Sequence, residues 1–555
     1  MNDNPERETC KMTETNTSSA RFSFLDKRLF RFLFLLTGGI LTALTLILTE
    51  LWLLQWFTLI PVGLVVLRLA ENTRLRLRTY YGYGLVFFWG YYAVVLHWFV
   101  SMYPLSFTGL SKGAALFVVL AGVFGLSLLQ ALISGLAFLI YGVTSRNRFL
   151  SKYRFLRPFL FAGCWTVFEW LQTFGWWGVP WGRLALGQID SLVMVQPARL
   201  LGSYFVSFLL LAVNLCLAYA LLYRSLRKTA AVTAALILLS NLLLGSVLFL
   251  TDKDTGETVR VAAIQGNISN KWEPGSLKSS LEVYRKYTLL ASKEGAKIVL
   301  WSETALPYDL TTSKSIMKDV KAIAAEADVI LLVGAFRSEK KPYTERLEYN
   351  SLFAISPDGT VNETVYDKQH LVPFGEFVPL RGIIMTLFPP LADVGMLDND
   401  LTSGEAGKNI VTEYGTLGGM ICFDSIYETV ALDAVRNGAE FFCLSSNDAW
   451  FLDSAAIYMH HNQARLRAIE VGRYVIRSGN SGITSAISPT GVVLEELEPL
   501  TEGYVVSDVH LRTDRTPYSV IGNLFVWILA IVLSLLCASS LYFYTREAVN
   551  KRKNG

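Results

Sequence analysis

Residues 31–250 form a nearly unbroken series of apolar blocks, and no water-soluble core absorbs so many in succession. From 252 to 515 charges are spread throughout, as in an ordinary soluble domain, and a last apolar block returns at 519–544. The composition agrees with this division. Apolar residues make up 52% and charged residues 17%, against roughly 25% charged in an average globular chain. The pattern predicts a membrane protein with one large soluble insert near its C-terminus.

A spanning helix needs about 20 mostly apolar residues. Eight segments qualify: 31–49, 51–70, 80–101, 113–142, 156–175, 199–222, 229–250 and 519–544. The fourth is long enough to tilt strongly or to break at Gly122, Gly125 or Gly135. The polar, mixed-charge N-terminus does not read as a cleavable signal, so the first block is expected to stay as an anchor.

The links alternate in Lys and Arg. Arg21, Lys27 and Arg28 precede the first block, and no basic residue lies near Glu50. Arg74, Arg76 and Arg78 follow the second, and only Lys112 falls in 102–112. Arg146, Arg148, Lys152, Arg154 and Arg157 come next, then Arg183 alone before Arg199, then Arg224, Arg227 and Lys228. Arg546, Lys551, Arg552 and Lys553 end the chain. Basic links stay on the cytoplasmic side. Both tails (1–30 and 545–555) are therefore expected inside. The spans fall in 31–250 and 519–544, and the domain at 258–511 faces outward, into the periplasm of a two-membrane bacterium.

The net charge of +4 is modest, and no basic run interleaved with aromatics appears in the insert, so nucleic-acid binding is not expected. Six scattered cysteines do not make a disulfide framework. Cys164, Cys216 and Cys537 fall in apolar blocks and Cys10 in the tail; only Cys422 and Cys443 belong to the insert. They could pair in an oxidising compartment, but one buried and one reactive thiol fit better.

Within the insert, VRVAAIQGNI, KIVLWSE, VILLVGAF, GTLGGMICFD and EFFCLSSND read as strands, with helical stretches at 276–294, 313–327, 427–437 and 456–472. A hairpin turns at Pro357-Asp358-Gly359, and a further strand pair is split by Ser488-Pro489-Thr490-Gly491. This alternation argues an α/β domain of mixed sheets, with its site at strand C-termini.

Three residues stand there. Cys422 ends a strand ahead of a helix, a place that favours a thiolate, Lys368 follows the hairpin, and Glu303 closes WSE. A thiol with a pKa of about 8.5 needs a base at neutral pH. A partly desolvated carboxylate supplies one, and an ammonium stabilises the oxyanion formed when sulfur attacks a carbonyl. Each residue also has a commoner reading: core packing for the cysteine, solvated surface for the Glu and Lys. No spacing rule joins them.

WSETALP, YDKQHLVPFGEFVPL and GGMICFDSIY, with NDAWF at 447–451 and HNQARLRAIEVGRYVIRSGNSG downstream, resemble the nitrilase, or carbon–nitrogen hydrolase, superfamily. GVPW at 178–181, LGSYFVSFLLLAVN at 201–214 and NKWEP around Trp272 extend the likeness. Apart from its N-terminal tail, the chain is similar to the apolipoprotein N-acyltransferase family. The resemblance implies a polytopic helical membrane domain of about eight spans joined to a nitrilase-like αββα sandwich. It implies Cys422 as nucleophile, Glu303 as general base, Lys368 as oxyanion stabiliser and Glu376 as a second carboxylate. Trp272, Trp450 and Phe451 would line the acyl region, or simply pack in the core. No metal or cofactor is expected.

The expected partners are a phospholipid acyl donor, a diacylglyceryl apolipoprotein acceptor and membrane lipid, acted on by a monomer. The expected reaction moves a fatty acyl chain through a Cys thioester to the acceptor's N-terminal amine. The position two after the cysteine, commonly Glu in that family, is Asp424, and Ala449 replaces a common Ser. Arg183 and Glu169 are candidates for holding a phosphate headgroup at the outer leaflet, with snorkelling equally open for Arg183. A tethered amidase and an inactive binding module for lipidated partners are the rival readings.

Overall fold

The computed structural model describes residues 22–554 apart from 73–74, 106–110, 255, 270, 274, 341–345 and 388–399. Cys10, Arg21 and Arg74, the rest of the tail 1–21, and Asn270 and Pro274 of NKWEP's surroundings lie outside the described residues. The chain divides into two compact units. One gathers the residues up to His97, Ala121–Leu248 and Asn523 onward; the other gathers Trp98–Leu120 and Phe249–Gly522.

The first unit is helical, and each of the eight apolar segments contains helix. Among the described residues of the whole chain, five helices are long and apolar enough to cross a membrane: Arg28–Ile47, Lys112–Thr144, Ser203–Leu222, Arg227–Thr251 and Leu524–Phe543. The other three segments fall short of that standard for visible reasons. Gln55–Leu69 and Arg157–Leu171 are too short, and Leu77–Val95 is loaded with tyrosine. The long fourth segment bends where its glycines stand, turning π-helical at Ala121–Leu126 and interrupting at Gly135. Gly135 and Gly84 sit backbone to backbone: a Cβ on Gly84 would lie 2.7 Å from the Gly135 carbonyl oxygen. Small residues permit such approach between apolar helices.

Several polar side chains inside this unit pair with one another. Gln188 Nε2 donates to Gln55 Oε1 (2.6 Å), Trp56 Nε1 to Gln188 Oε1 (2.9 Å), and Asn214 Nδ2 to the Gln55 carbonyl (3.0 Å). Arg183 does not snorkel. It is 1% exposed, donating to Ser203 Oγ (3.0 Å) and Tyr204 OH (2.9 Å), while Glu169 Oε1 accepts from the Leu184 amide (2.8 Å). Both side chains are buried within the unit.

Among the described residues, the second unit contains thirteen strands. They are β1 (Thr258–Gln265), β2 (Ile298–Leu300), β3 (Leu306–Asp309), β4 (Ile330–Lys340), β5 (Arg346–Ile355), β6 (Tyr366–Asp367), β7 (Asn409–Thr412), β8 (Gly415–Ile421), β9 (Phe441–Ser446), β10 (Val475–Gly479), β11 (Thr484–Ile487), β12 (Val493–Leu497) and β13 (Gly503–His510). They form a sheet ordered β13-β1-β2-β4-β5-β6, with β3 beside β4, and a second ordered β12-β11-β10-β9-β8-β7. β1, β2 and β4 run parallel in the first sheet; β8, β9 and β10 do so in the second.

Parallel strands buried on both faces read as apolar runs, and the alternation within each run shows where each face goes. Val261 and Ala263 of β1 join Ile298, Leu332, Leu417, Phe441 and Ile476 in a core between the sheets. Ala262 and Ile264 point the other way, into a core with Tyr284, Ile316, Val320 and Ile323 of the helices Ser276–Lys293 and Lys314–Ala327. Helices Glu428–Arg436 and Ala455–Val471 pack on the second sheet. The layers are α, β, β, α. The arm after the 357–359 turn pairs less than its sequence suggests, bridging at Val361 and again only at Tyr366–Asp367.

Candidate active site

The catalytic candidates sit beyond strand C-termini of both sheets. After β2 the chain turns sharply, with Thr304 at a φ of 45°. This turn crosses β4 at Gly334, where a Cβ would meet the Ser302 oxygen at 2.3 Å and Glu303 Cα at 2.9 Å. Only glycine admits that crossing, so the Gly in VILLVGAF places Glu303.

Glu303, Lys368 and Glu376 converge on one another. Lys368 Nζ donates to Glu303 Oε1 (2.9 Å) and Glu376 Oε1 (3.0 Å). Asn350 Nδ2, from β5, donates to the same two oxygens at 2.8 and 2.9 Å, and the Val372 amide holds Glu376 Oε2 at 2.8 Å. Lys368 is 1% exposed and Glu303 6%. Burial by itself would strip the proton from Lys368, but the charges of Glu303 and Glu376 outweigh it and hold the amine well above its ordinary range. Burial pushes Glu376 up, against the pull of Lys368.

Cys422 opens a short 3-10 turn, Cys422–Ile426, directly after β8. Its φ of 49° is left-handed, a conformation that costs a non-glycine residue about 1–3 kcal/mol and persists only where its surroundings enforce it. The thiol is half-buried and free, as is the buried Cys443 of β9. Burial and the Glu303 charge push the thiol well above its ordinary range, with Lys368 pulling the other way. With the thiol pushed up, attack calls for a base, and Glu303 is the charged group that acts on the sulfur most strongly.

Asp424 stands two residues after Cys422, on the same short turn. Its carboxylate, fully buried, accepts from the Gln369 amide (3.1 Å), the His370 amide (2.8 Å), the Ile421 amide (3.0 Å) and Tyr366 OH (2.9 Å). Burial pushes it up to about 6, while the His370 and Ile421 amides and Lys368 favour the ionised form. It fastens the Lys368 segment to the Cys422 turn. An Asp424→Asn variant offers an NH2 group where two donors require an acceptor. It is expected to lose about 1–3 kcal/mol for each donor left unpaired, read as a lowered thermal midpoint.

Below the Cys422 turn runs a second buried chain of contacts. His460 Nε2 lies 3.0 Å from the Cys422 carbonyl oxygen and 3.1 Å from Ser425 Oγ; its Nδ1 lies 2.8 Å from Asp448 Oδ1. Arg477 donates to Asp448 Oδ2. Arg477, then His460, hold the Asp448 carboxyl below the usual carboxylate range against the effect of burial. Potential ligand atoms of Cys422, Asp448 and His460 lie within 4.8 Å of one another. Arg477 already matches the Asp448 charge, so the set acts as a brace for the strained turn. Gly482 makes room for it, since a Cβ there would lie 2.0 Å from Asp448 Oδ2.

The aromatics are less gathered. Trp272 is 50% exposed, its ring 6.0 Å from that of Phe336. Phe451 packs edge-on against Trp98 at 5.0 Å and against His460 at 6.1 Å, and Trp450 stands beside it on the turn Asp448–Phe451. Asn350, His460 and Lys271 escape the sequence reading. Asn350 looks like any mid-strand polar residue, and His460 sits in a helix with no apolar period. Asp448 stood inside NDAWF, where the aromatics drew attention first.

Residues 260–516 match the carbon–nitrogen hydrolase family, and residues 38–216 match the apolipoprotein N-acyltransferase N-terminal domain. An apolipoprotein N-acyltransferase of Gloeobacter violaceus is 32% identical over 85% of this chain and 87% of its own length. This chain belongs to the apolipoprotein N-acyltransferase family. Relatives of the same name from Geobacter metallireducens (31% identity, 65% of this chain and 70% of theirs) and Vibrio cholerae (28%, 91% and 97%) extend the match. Members of this family are membrane enzymes, and the chain is an acyltransferase carrying a nitrilase-like domain.

Proposed function

We propose that the chain transfers a fatty acyl group from a membrane phospholipid to the N-terminal amine of a diacylglyceryl-cysteine apolipoprotein, through a thioester on Cys422. The observation that carries this reading is the buried Glu303–Lys368 pair, 2.9 Å apart, acting on the Cys422 thiol of a strained turn. Glu303 takes the proton from Sγ as sulfur attacks the ester carbonyl, and Lys368 stabilises the oxyanion. The ester C–O bond breaks, Glu303 returns the proton to the departing glycerol oxygen, and lysophospholipid leaves. The acceptor amine then attacks the thioester and gives its proton to Glu303. The C–S bond breaks, an amide forms, and the thiol regains its proton. Glu376 keeps Lys368 in place, and Trp272, Trp450 and Phe451 line the acyl path.

The alternation of Lys and Arg supports eight spans, with both tails (1–30 and 545–555) in the cytoplasm and the domain at 258–511 in the periplasm. Both substrates are anchored in one leaflet, so a membrane-tethered monomer works at high effective concentration of each. To test this, purified protein is incubated with phospholipid and the peptide bearing Cys422 is examined by mass spectrometry, before and after a diacylglyceryl peptide is added. An acyl adduct that only the peptide amine discharges is expected. No adduct, or one discharged by water alone, would overturn the reading; Cys422→Ala should form none.

A further inference from the structure

Lys271 has no part in the reaction above, yet it is buried against its base. It stands in the loop between β1 and the helix Ser276–Lys293 and is 3% exposed. Its Nζ donates to the Glu303 carbonyl oxygen (2.8 Å) and to Thr304 Oγ1 (2.9 Å), the two residues of the left-handed turn. Both acceptors are neutral, and among the described residues no carboxylate lies within ion-pair distance of it. An ammonium buried against neutral partners must either meet negative charge close by or give up its proton.

The groups that supply the charge are the reacting ones. Burial draws Lys271 down to about 7, and Glu303 and then Cys422 push it back up. Lys368 and Glu376 stand behind Glu303, and Glu273 on its own loop is exposed. Among the charges in direct contact, Glu303 and Glu376 are two carboxylates facing the single ammonium of Lys368. Asp448 is matched by Arg477, and Asp424 adds further negative charge. Transfer of the Sγ proton to Glu303 moves the negative charge to sulfur without changing the total. With Lys271 protonated, thiolate and Glu376 then face two ammoniums; without it, they face one.

We propose that Lys271 is a positioning residue that fixes the Glu303 turn and balances the charge of the centre, so that thiolate and oxyanion form against two ammoniums. The inference rests on the reading of Cys422 as nucleophile and Glu303 as base. Its loop also carries Trp272, whose ring lies 5.9 Å from Nζ, so the same contact ties that exposed aromatic to the base.

The test titrates the alkylation of Cys422 by iodoacetamide against pH, followed on the Cys422 peptide by mass spectrometry in the full chain in detergent. In Lys271→Met the midpoint is expected to rise by about one unit, giving roughly tenfold slower alkylation near neutral pH. Lys271→Arg, which keeps the charge, should stay closer to the parent. Where Lys271→Met loses its thermal transition, Lys271→Gln takes its place with the same outcomes. A midpoint unmoved by loss of the charge, or moved equally by Arg, would overturn the proposal. Alkylation needs no phospholipid, so this result is independent of whether Cys422 accepts an acyl chain.

Discussion

Glu303→Gln is expected to lower acyl-adduct formation by about 10²–10⁴-fold, the usual contribution of a positioned base, while making Cys422 easier to alkylate. The two effects oppose because Glu303 has two influences on the sulfur. As a base it removes the proton during attack on a substrate carbonyl. As a resting negative charge it raises the thiol, second only to burial. Glutamine keeps the volume, and its oxygen can still accept from Lys368 and Asn350, which donate at 2.9 and 2.8 Å. It removes the charge and the basicity together. The alkylation midpoint should therefore fall while transfer collapses. Transfer near the parent rate would remove Glu303 from the role of base. A midpoint that rises would mean that the turn had moved and that the loss of transfer said nothing about proton transfer.

How far such a site can be read from sequence depends on where each residue's environment comes from. Glu303 and Cys422 stood out as reactive side chains closing apolar strands, but that context left core and surface readings open, and only the family resemblance joined them. β2 and β8 do bring them to one end of the two sheets. Lys271 was not legible. In the polar segment around Trp272 it looks like solvated surface, and its burial comes from a turn at Glu303–Thr304, 32 residues away. Asp424 looked like a shortened family carboxylate, yet its four donors come from β6, the Lys368 segment and β8, which only tertiary structure assembles. Hydropathy found the longer helices of the membrane unit but not the short ones at Arg148–Lys152 and Leu192–Val195. It could not set their lengths or place Arg183 indoors, because those depend on polar partners such as Ser203 and Tyr204 that the pattern treats as neutral. The strand β13, at the sheet edge, went unread because Ser507, Asp508 and His510 make its second half polar, although burial alternates along it.

Lys368→Met should abolish transfer and also destabilise the second unit in a pH-dependent way. In the parent, the Lys368 amine is held above its ordinary value, so its stabilising effect is present at every pH below about 10.5 and is lost only above that. Without the ammonium, Glu303 and Glu376 keep their oxygens on Asn350 Nδ2 with no positive charge between them. Two carboxylates so placed share a proton, and the pair's folded pKa rises above the unfolded value of about 4.3. The folded variant then binds more protons than the unfolded chain, so its stability falls as pH rises through that raised pKa. The deficit against the parent is expected to be small at pH 5 and to reach about 3–5 kcal/mol by pH 8, the range for breaking a buried ion pair. Tryptophan-fluorescence melting across this pH range measures it. Adding Glu376→Gln removes the second charge and should restore most of the stability at pH 8 but none of the transfer. A deficit that stays constant from pH 5 to pH 8, or a double variant no more stable than Lys368→Met alone, would mean that lost packing rather than the orphaned carboxylate pair governs the effect.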